Sequence, residues 1–301
     1  MNRPVSVPLP DTFRRRAVRA GEITINALTG GAGPPVLLLH GYPQTHVVWH
    51  RVAPVLAERH TVVMTDLRGY GDSDKPSGGT RHEAYSKRAM ARDQLLVMRE
   101  LGFERFAVAG HDRGGRVAHR LALDDPAAVS ALAVLDIVPT LHAFRHADAD
   151  FGRGYYHWFF LAAPDGVPER LLADEAVFWI RTHVQARHHG GAPFDPGALE
   201  EYVRCFSDPA TIHASCEDYR AAATIDLEHD ARDAAHGHRV TAPLLALWGR
   251  HSFVGRSYRV LDVWRGYAEL VDGRPLPADH HLPEEAPQET AEALLAFFAA
   301  A

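Results

Sequence analysis

Between Arg105 and Asp125 the chain changes character in a way few folds accommodate. A short apolar run, Phe106-Ala107-Val108-Ala109, has the composition of a buried parallel strand. Val117 to Leu123 has helical apolar spacing that stops at Asp124-Asp125-Pro126. Between them stands Gly110-His111-Asp112-Arg113-Gly114-Gly115-Arg116. A strand, a glycine-flanked polar residue and a helix predict a tight elbow at the end of a sheet. Its glycines permit the strained turn, and Asp112 is lifted above the strand ends.

An elbow of this kind usually presents serine, which must shed a proton before attacking and suits acyl carbon. Aspartate is already an anion and suits displacement at saturated carbon, giving an ester that water must then cleave. The expected substrate therefore carries a leaving group on sp³ carbon. Arg113 and Arg116, at i and i+3 in the first helical turn, face the same way. Cations at the anion-favouring end of a helix need a negative partner. Asp112 compensates one of them, and two guanidiniums with helix N–H groups make a carboxylate or phosphate site. One structural salt bridge plus one solvated arginine is the plainer alternative.

The 301 residues, 46% of them hydrophobic, suffice for one large or two small domains with a packed core. A formal net charge of −6 argues against nucleic acid or an anionic membrane as partner. The basic run Arg14-Arg15-Arg16 is short and reads as solvated. Met1 to Arg16 lacks the apolar stretch of a signal peptide, and no segment approaches the ~20 apolar residues of a membrane span. Cys205 and Cys216 have no metal or redox spacing, so a cytoplasmic location is expected and a disulfide is not.

Strand-like and helix-like segments alternate through the first half, which predicts a mainly parallel sheet with helices on both faces. Strands are expected at Pro35 to Leu39, Thr61 to Thr65 and Ala131 to Leu135, with helices at Val47 to Glu58 and Lys87 to Leu101. From Pro139 to about Asp233 strand runs disappear, and aromatics such as Tyr155, Tyr156, Trp158 and Trp179 accumulate with histidines. This stretch reads as an inserted helical cap, residues 139–233, between two parts of one core, 1–138 and 234–301. Strand-helix order resumes at Pro243 to Trp248, with a helix at Val260 to Tyr267, a strand at Ala268 to Asp272 and a closing helix from Pro287.

An aspartyl ester needs a base to activate water and an acid to orient that base, in the chain order nucleophile, acid, histidine. Asp136 ends the strand Ala131 to Leu135, whereas the slot after Trp248, Gly249-Arg250-His251-Ser252, has no carboxylate. Asp136 is therefore the expected acid. Asp279-His280-His281-Leu282 is the loop after the last strand and supplies the histidine. An oxyanion hole is expected from the backbone N–H groups of Tyr42, in His40-Gly41-Tyr42-Pro43, and of Arg113.

His40-Gly41-Tyr42-Pro43-Gln44-Thr45-His46, Asp66-Leu67-Arg68-Gly69-Tyr70-Gly71, the arginine-bearing elbow, Leu135-Asp136-Ile137-Val138-Pro139, Tyr156-His157-Trp158 and His280 together resemble the fluoroacetate dehalogenases of the α/β-hydrolase superfamily. The resemblance runs over nearly the whole chain. It implies the α/β-hydrolase fold, catalytic residues Asp112, Asp136 and His280, and a haloacid substrate whose carboxylate is held by Arg113 and Arg116. It also implies that His157, Trp158 and Tyr219 surround the departing halide, that the protein is a homodimer, and that water is the only co-substrate.

Two departures stand out. The family usually has glycine before its histidine and an aromatic after it, where this chain has Asp279 and His281; Asp279 is then a rival to Asp136 as partner of His280. An epoxide hydrolase shares the aspartate, histidine and oxyanion loop, with Tyr155, Tyr156 or Tyr219 as proton donors, but an arginine beside the nucleophile suits a neutral epoxide poorly. A non-catalytic small-molecule receptor on the same scaffold need not keep nucleophile, acid and base together. The mechanism calls for no cofactor and no metal. His142 and His146, at i and i+4 with Asp148 and Asp150 beyond, imitate part of a metal site without a third ligand at a known spacing. His183, His188, His189, His236 and His238 read as solvated cap or loop residues.

Overall fold

The computed structural model describes residues 9–185 and 194–300; Met1–Pro8, His188, His189 and Ala301 lie outside the described residues. Its strands are β1 (Arg14–Ala20), β2 (Ile23–Gly30), β3 (Pro35–Leu39), β4 (Thr61–Thr65), β5 (Phe106–His111), β6 (Val129–Leu135), β7 (Leu244–Gly249) and β8 (Val271–Leu276). They form one sheet in the order β1-β2-β4-β3-β5-β6-β7-β8. Neighbours are parallel from β4 to β8, and antiparallel where β1 meets β2 and β2 meets β4. This is the α/β-hydrolase fold with helices on both faces of the sheet.

The central strands are apolar throughout because both faces are covered. In β3, Leu37 and Leu39 join the cluster containing Val117 and Leu121, while Val36 and Leu38 pack on the other side with Trp49 and Leu56. Each fully buried leucine contributes roughly 1.5–3 kcal/mol relative to exposure. Chain order reverses at β3, which pairs with β4 on one side and β5 on the other, and the crevice at such a switch lies beyond the carboxyl ends of the strands. The register His111 to Leu135 places Asp112 and Asp136 side by side there, each one residue past its strand.

Several elements depart from the sequence expectation. The hairpin β1–β2 was not foreseen: β1 is arginine-rich and mostly exposed on the sheet edge, so it has no apolar run. Arg14, Arg15 and Arg16 are indeed exposed, and Arg15 pairs with Asp72 at 2.6 Å. The last strand is Val271–Leu276 rather than Ala268 to Asp272, an edge strand with alternating exposure. The expected helix Val47 to Glu58 is broken into a 3-10 turn, His46–Trp49, and a short helix, Ala53–Leu56, which restarts with Pro54 in its first turn. Among the described residues, eight helices from Thr140–Arg145 to Ile225–His236 separate β6 from β7. No helix among those residues is long and apolar enough to cross a membrane. Cys205 and Cys216 are free, buried thiols.

The elbow depends on close backbone contact. A Cβ on Gly114, in the helix Arg113–Asp124, would lie 2.4 Å from the carbonyl oxygen of His40 and 2.6 Å from the carbonyl carbon of Leu39. Gly114→Ala is expected to cost roughly 1–3 kcal/mol, because the crowding atoms are backbone. Urea unfolding measures this; an alanine variant as stable as the parent would show that the loop after β3 yields freely.

Candidate active site

Four non-glycine residues have positive φ among the described residues, and two of them are the strand-end carboxylates, Asp112 at +49° and Asp136 at +52°. Strain of this kind concentrates where a side chain must be aimed. Asp112 is buried, and its Oδ1 accepts the backbone N–H of Tyr42 at 3.0 Å. Burial alone would raise its carboxyl pKa. The fields of His280, His111, Arg113 and Arg116 outweigh burial and hold it well below the ordinary carboxylate range. Gly41 makes this approach possible, since a Cβ there would meet the Asp112 Cβ at 2.4 Å.

His280 Nδ1 lies 2.7 Å from Asp136 Oδ2, and its Nε2 lies 3.8 Å from Asp112 Oδ2. With Nδ1–H donating to Asp136, Nε2 keeps its lone pair, and this buried atom has no hydrogen-bond partner. Asp136 Oδ1 accepts the N–H of Gly249 at 3.0 Å and the Ser252 hydroxyl at 2.6 Å. The Gly249–Ser252 slot thus carries no acid, but supplies the donors that hold the acid. Ser252 was missed by sequence reasoning, which searched that slot only for carboxylates.

The loop after β8 is pinned on both sides of His280. Glu285 accepts the N–H of Asp279 at 3.0 Å and that of His281 at 2.8 Å. Asp136 holds the ring nitrogen, and Asp279 lines a cavity of about 280 Å³ that reaches His280 past Arg153, Arg256 and His183. His281 is buried, with its ring 5.2 Å from Phe194. His111, His280 and His281 are the one group among the described residues whose candidate ligand atoms converge, within 4.8 Å. Hydrogen bonds already engage one nitrogen of His280, on Asp136, and one of His111, on the carbonyl of His280 at 2.8 Å. His142 and His146 stack at 4.1 Å beside a separate cavity and do not form such a group.

Glu284 ties this loop to the rest of the protein. Fully buried, it accepts from Gln44 Nε2 at 2.7 Å and from the Tyr202 hydroxyl at 2.8 Å, and burial pushes its carboxyl up to about 8. Between the ordinary glutamate range and about 8 the unfolded chain has lost a proton that the folded chain keeps, so rising pH favours unfolding across that window. Glu284→Gln removes this term. The variant's stability relative to the parent is expected to improve from pH 5 to pH 8 in paired urea titrations, and a pH-independent difference would contradict a protonated Glu284.

The arginines are brought together, but not as expected. Arg113 is fully buried and paired with Asp218, Nη2 to Oδ1 at 2.6 Å and Nε to Oδ2 at 3.1 Å. Asp112 is therefore not its principal counter-charge. Asp218 escaped notice because nothing local marks it; it stands 105 positions away, on the helix Pro209–Ala223. Arg116 donates from Nη1 to Val138 O at 2.7 Å and Thr140 Oγ1 at 3.2 Å. Each guanidinium keeps one buried N–H site with no partner, Nη1 of Arg113 and Nε of Arg116. Leaving such a donor unpaired costs about 1–3 kcal/mol.

Aromatic side chains from the helices between β6 and β7 stack on the arginines. The Arg116 guanidinium carbon is 4.6 Å from the Trp158 ring centre, and that of Arg113 is 4.2 Å from the Tyr219 ring and 5.8 Å from Trp158. His157 and Tyr219 have ring centres 5.7 Å apart, Trp158 and Tyr219 6.3 Å. Tyr42 joins them, 5.3 Å from Tyr219 and 6.3 Å from His157, and its hydroxyl accepts from Trp179 Nε1 at 2.5 Å. His183, expected in solvent, is buried 4.8 Å from His157. Trp158 and Tyr219 thus stand against the arginines, and His157 packs on Tyr219 and Tyr42.

Residues 34–287 match the family model of the alpha/beta hydrolase fold. A fluoroacetate dehalogenase from a Burkholderia species is 46% identical over 286 residues, covering 95% of this chain and 93% of the relative. A soluble epoxide hydrolase from a Corynebacterium species is 34% identical, covering 90% and 92%. A solved Pseudomonas aeruginosa structure, assigned to the epoxide hydrolases and carrying bound MFA, superposes with a TM-score of 0.92 at 45% identity, covering 97% of this chain and 98% of that one. The chain belongs to the fluoroacetate dehalogenase family of the α/β-hydrolase superfamily.

Proposed function

We propose that the protein hydrolyses short 2-haloacids, with fluoroacetate as the leading substrate and glycolate and fluoride as products. The observation that carries this reading is the pair of unpartnered buried N–H donors, Arg113 Nη1 and Arg116 Nε, beside an Asp112 carboxylate held ionised. A carboxylate one bond from the reacting carbon satisfies both donors and places that carbon near Asp112.

Asp112 Oδ2 attacks the α-carbon from behind as the carbon–halogen bond breaks and its electron pair leaves with the halide. Fluoride is small and strongly hydrated, so donors on His157, Trp158 and Tyr219 replace its water. His280 Nε2 then takes a proton from water as the water oxygen attacks Cγ of the ester. Charge building on Oδ1 meets the N–H groups of Tyr42 and Arg113. The Cγ–Oδ2 bond breaks, glycolate leaves with the proton from His280, and one proton passes to solvent as Asp112 regains its charge. Asp136 keeps the ring in the productive tautomer throughout.

Residues 139–233 serve as the cap over a core of 1–138 and 234–301, and the enzyme works in the cytoplasm as a homodimer. Exposed Tyr156, Phe159, Leu171 and Phe178 on the cap helices support self-association. The epoxide hydrolase at 34% identity supports a second reading, opening of an epoxide with a cap tyrosine as acid. Incubation with fluoroacetate, chloroacetate and styrene oxide, following halide and diol, separates the two. Halide release is expected; diol without halide would overturn the main reading, and an inert protein would favour a receptor.

A further inference from the structure

Four charged side chains with almost no exposure run through the interior behind the proposed carboxylate site: Arg113, Asp218, Lys87 and Asp226. Lys87 opens the helix Lys87–Glu100, and Asp226 lies on the helix Ile225–His236. Arg113 makes three contacts with Asp218, two to the carboxylate and one to its carbonyl oxygen at 2.9 Å. Lys87 Nζ donates to the same Oδ1 that Arg113 uses, and Tyr70 donates its hydroxyl to Oδ2 at 2.7 Å. Beyond, Lys87 Nζ is 3.7 Å from Asp226 Oδ2, and the Lys87 backbone N–H donates to Asp226 Oδ1 at 2.8 Å.

A guanidinium matched to a carboxylate of its own presents little net charge to a third group. Asp218 is divided between two cations, so Arg113, Asp218 and Lys87 together carry one positive charge. Asp226, which contacts Lys87 and makes no hydrogen bond to Arg113, offsets part of this charge. A unit charge roughly 8 Å from a bound anion, at an effective dielectric constant of about 20, changes affinity by about tenfold or more. Burial protects that field from salt.

We infer that Lys87 is a positioning and specificity residue, which sets the affinity of the site for carboxylates by sharing Asp218 with Arg113. The inference rests on the proposed function only in taking a carboxylate as the ligand, and it does not require turnover. Calorimetry with acetate and with its neutral analogue acetamide tests it. Lys87→Met is expected to weaken acetate about tenfold and leave acetamide unchanged. Asp218→Asn is expected to tighten acetate binding, since both cations are then uncompensated by it, while lowering kcat because Arg113 loses the group that orients it. Lys87→Met with Asp218→Asn removes both members of the pair and is expected to restore acetate affinity.

Equal weakening of acetate and acetamide by Lys87→Met would mean loosened packing and overturn the inference, as would unchanged acetate binding. Should the single variant not fold, the double variant decides, since a double variant that has lost acetate overturns the inference equally. A parent that binds no acetate overturns both readings. A parent that binds acetate and releases no halide overturns the proposed function alone.

Discussion

His280→Asn is expected to release about one equivalent of halide per active site and then stop, while Asp112→Asn releases none. The difference follows from which atoms each step uses. Displacement at the α-carbon needs only the Asp112 anion, which the fields of His280, His111, Arg113 and Arg116 keep ionised against burial in the parent, and the last three remain in His280→Asn. Ester hydrolysis needs Nε2 of a neutral imidazole. An amide at position 112 has no anion to attack with, and losses on the order of 10⁴-fold or more accompany removal of a residue of this kind. In His280→Asn the ester persists, and mass spectrometry should find the peptide containing Asp112 heavier by glycolate less water. The scaffold should survive, because Asp136 keeps two bonds from Gly249 and Ser252. The pre-steady-state halide burst of the parent is also expected to stay flat as pH falls toward the ordinary carboxylate range, since Asp112 titrates below it. Repeated turnover by His280→Asn, or a burst without modification of Asp112, would sink the covalent mechanism.

Much of the site was legible because its parts are local. Asp112 and Asp136 are single residues at the ends of apolar strands, and His280 lies in the loop after the last strand, so residue type and chain order suffice. The buried salt link of Arg113 was not legible. Asp218 and Lys87 sit in ordinary helical sequence and meet Arg113 only after three helices have packed. The edges of the sheet were the weakest part of the reading for a related reason. Edge strands such as β1 and β8 are half solvated, and Gly273 and Pro275 in β8 erase the apolar run that marks a central strand. His183 shows the converse, since nothing in its neighbourhood distinguishes a surface histidine from one folded against His157 and Tyr42.

Trp158→Phe is expected to separate fluoride from chloride. The phenyl ring retains much of the aromatic face that lies 4.6 Å from the Arg116 guanidinium carbon, so the carboxylate clamp persists and KM for both haloacetates should change little. What disappears is the indole N–H. Removing one donor aimed at developing negative charge typically costs about 10²–10³-fold in kcat. The full penalty should fall on fluoroacetate, because fluoride concentrates its charge and depends most on donors that replace water. Chloride is larger and more weakly solvated, and its loss should stay within about tenfold, since its charge needs less compensation. Ion-selective electrodes following both halides under saturating substrate give the two kcat ratios directly. Equal losses would mean that Trp158 acts through the arginine it stacks against, and the halide would then be received by His157 and Tyr219. A selective loss with unchanged KM would place the indole N–H at the leaving atom, where binding energy is spent on the transition state rather than on the bound substrate.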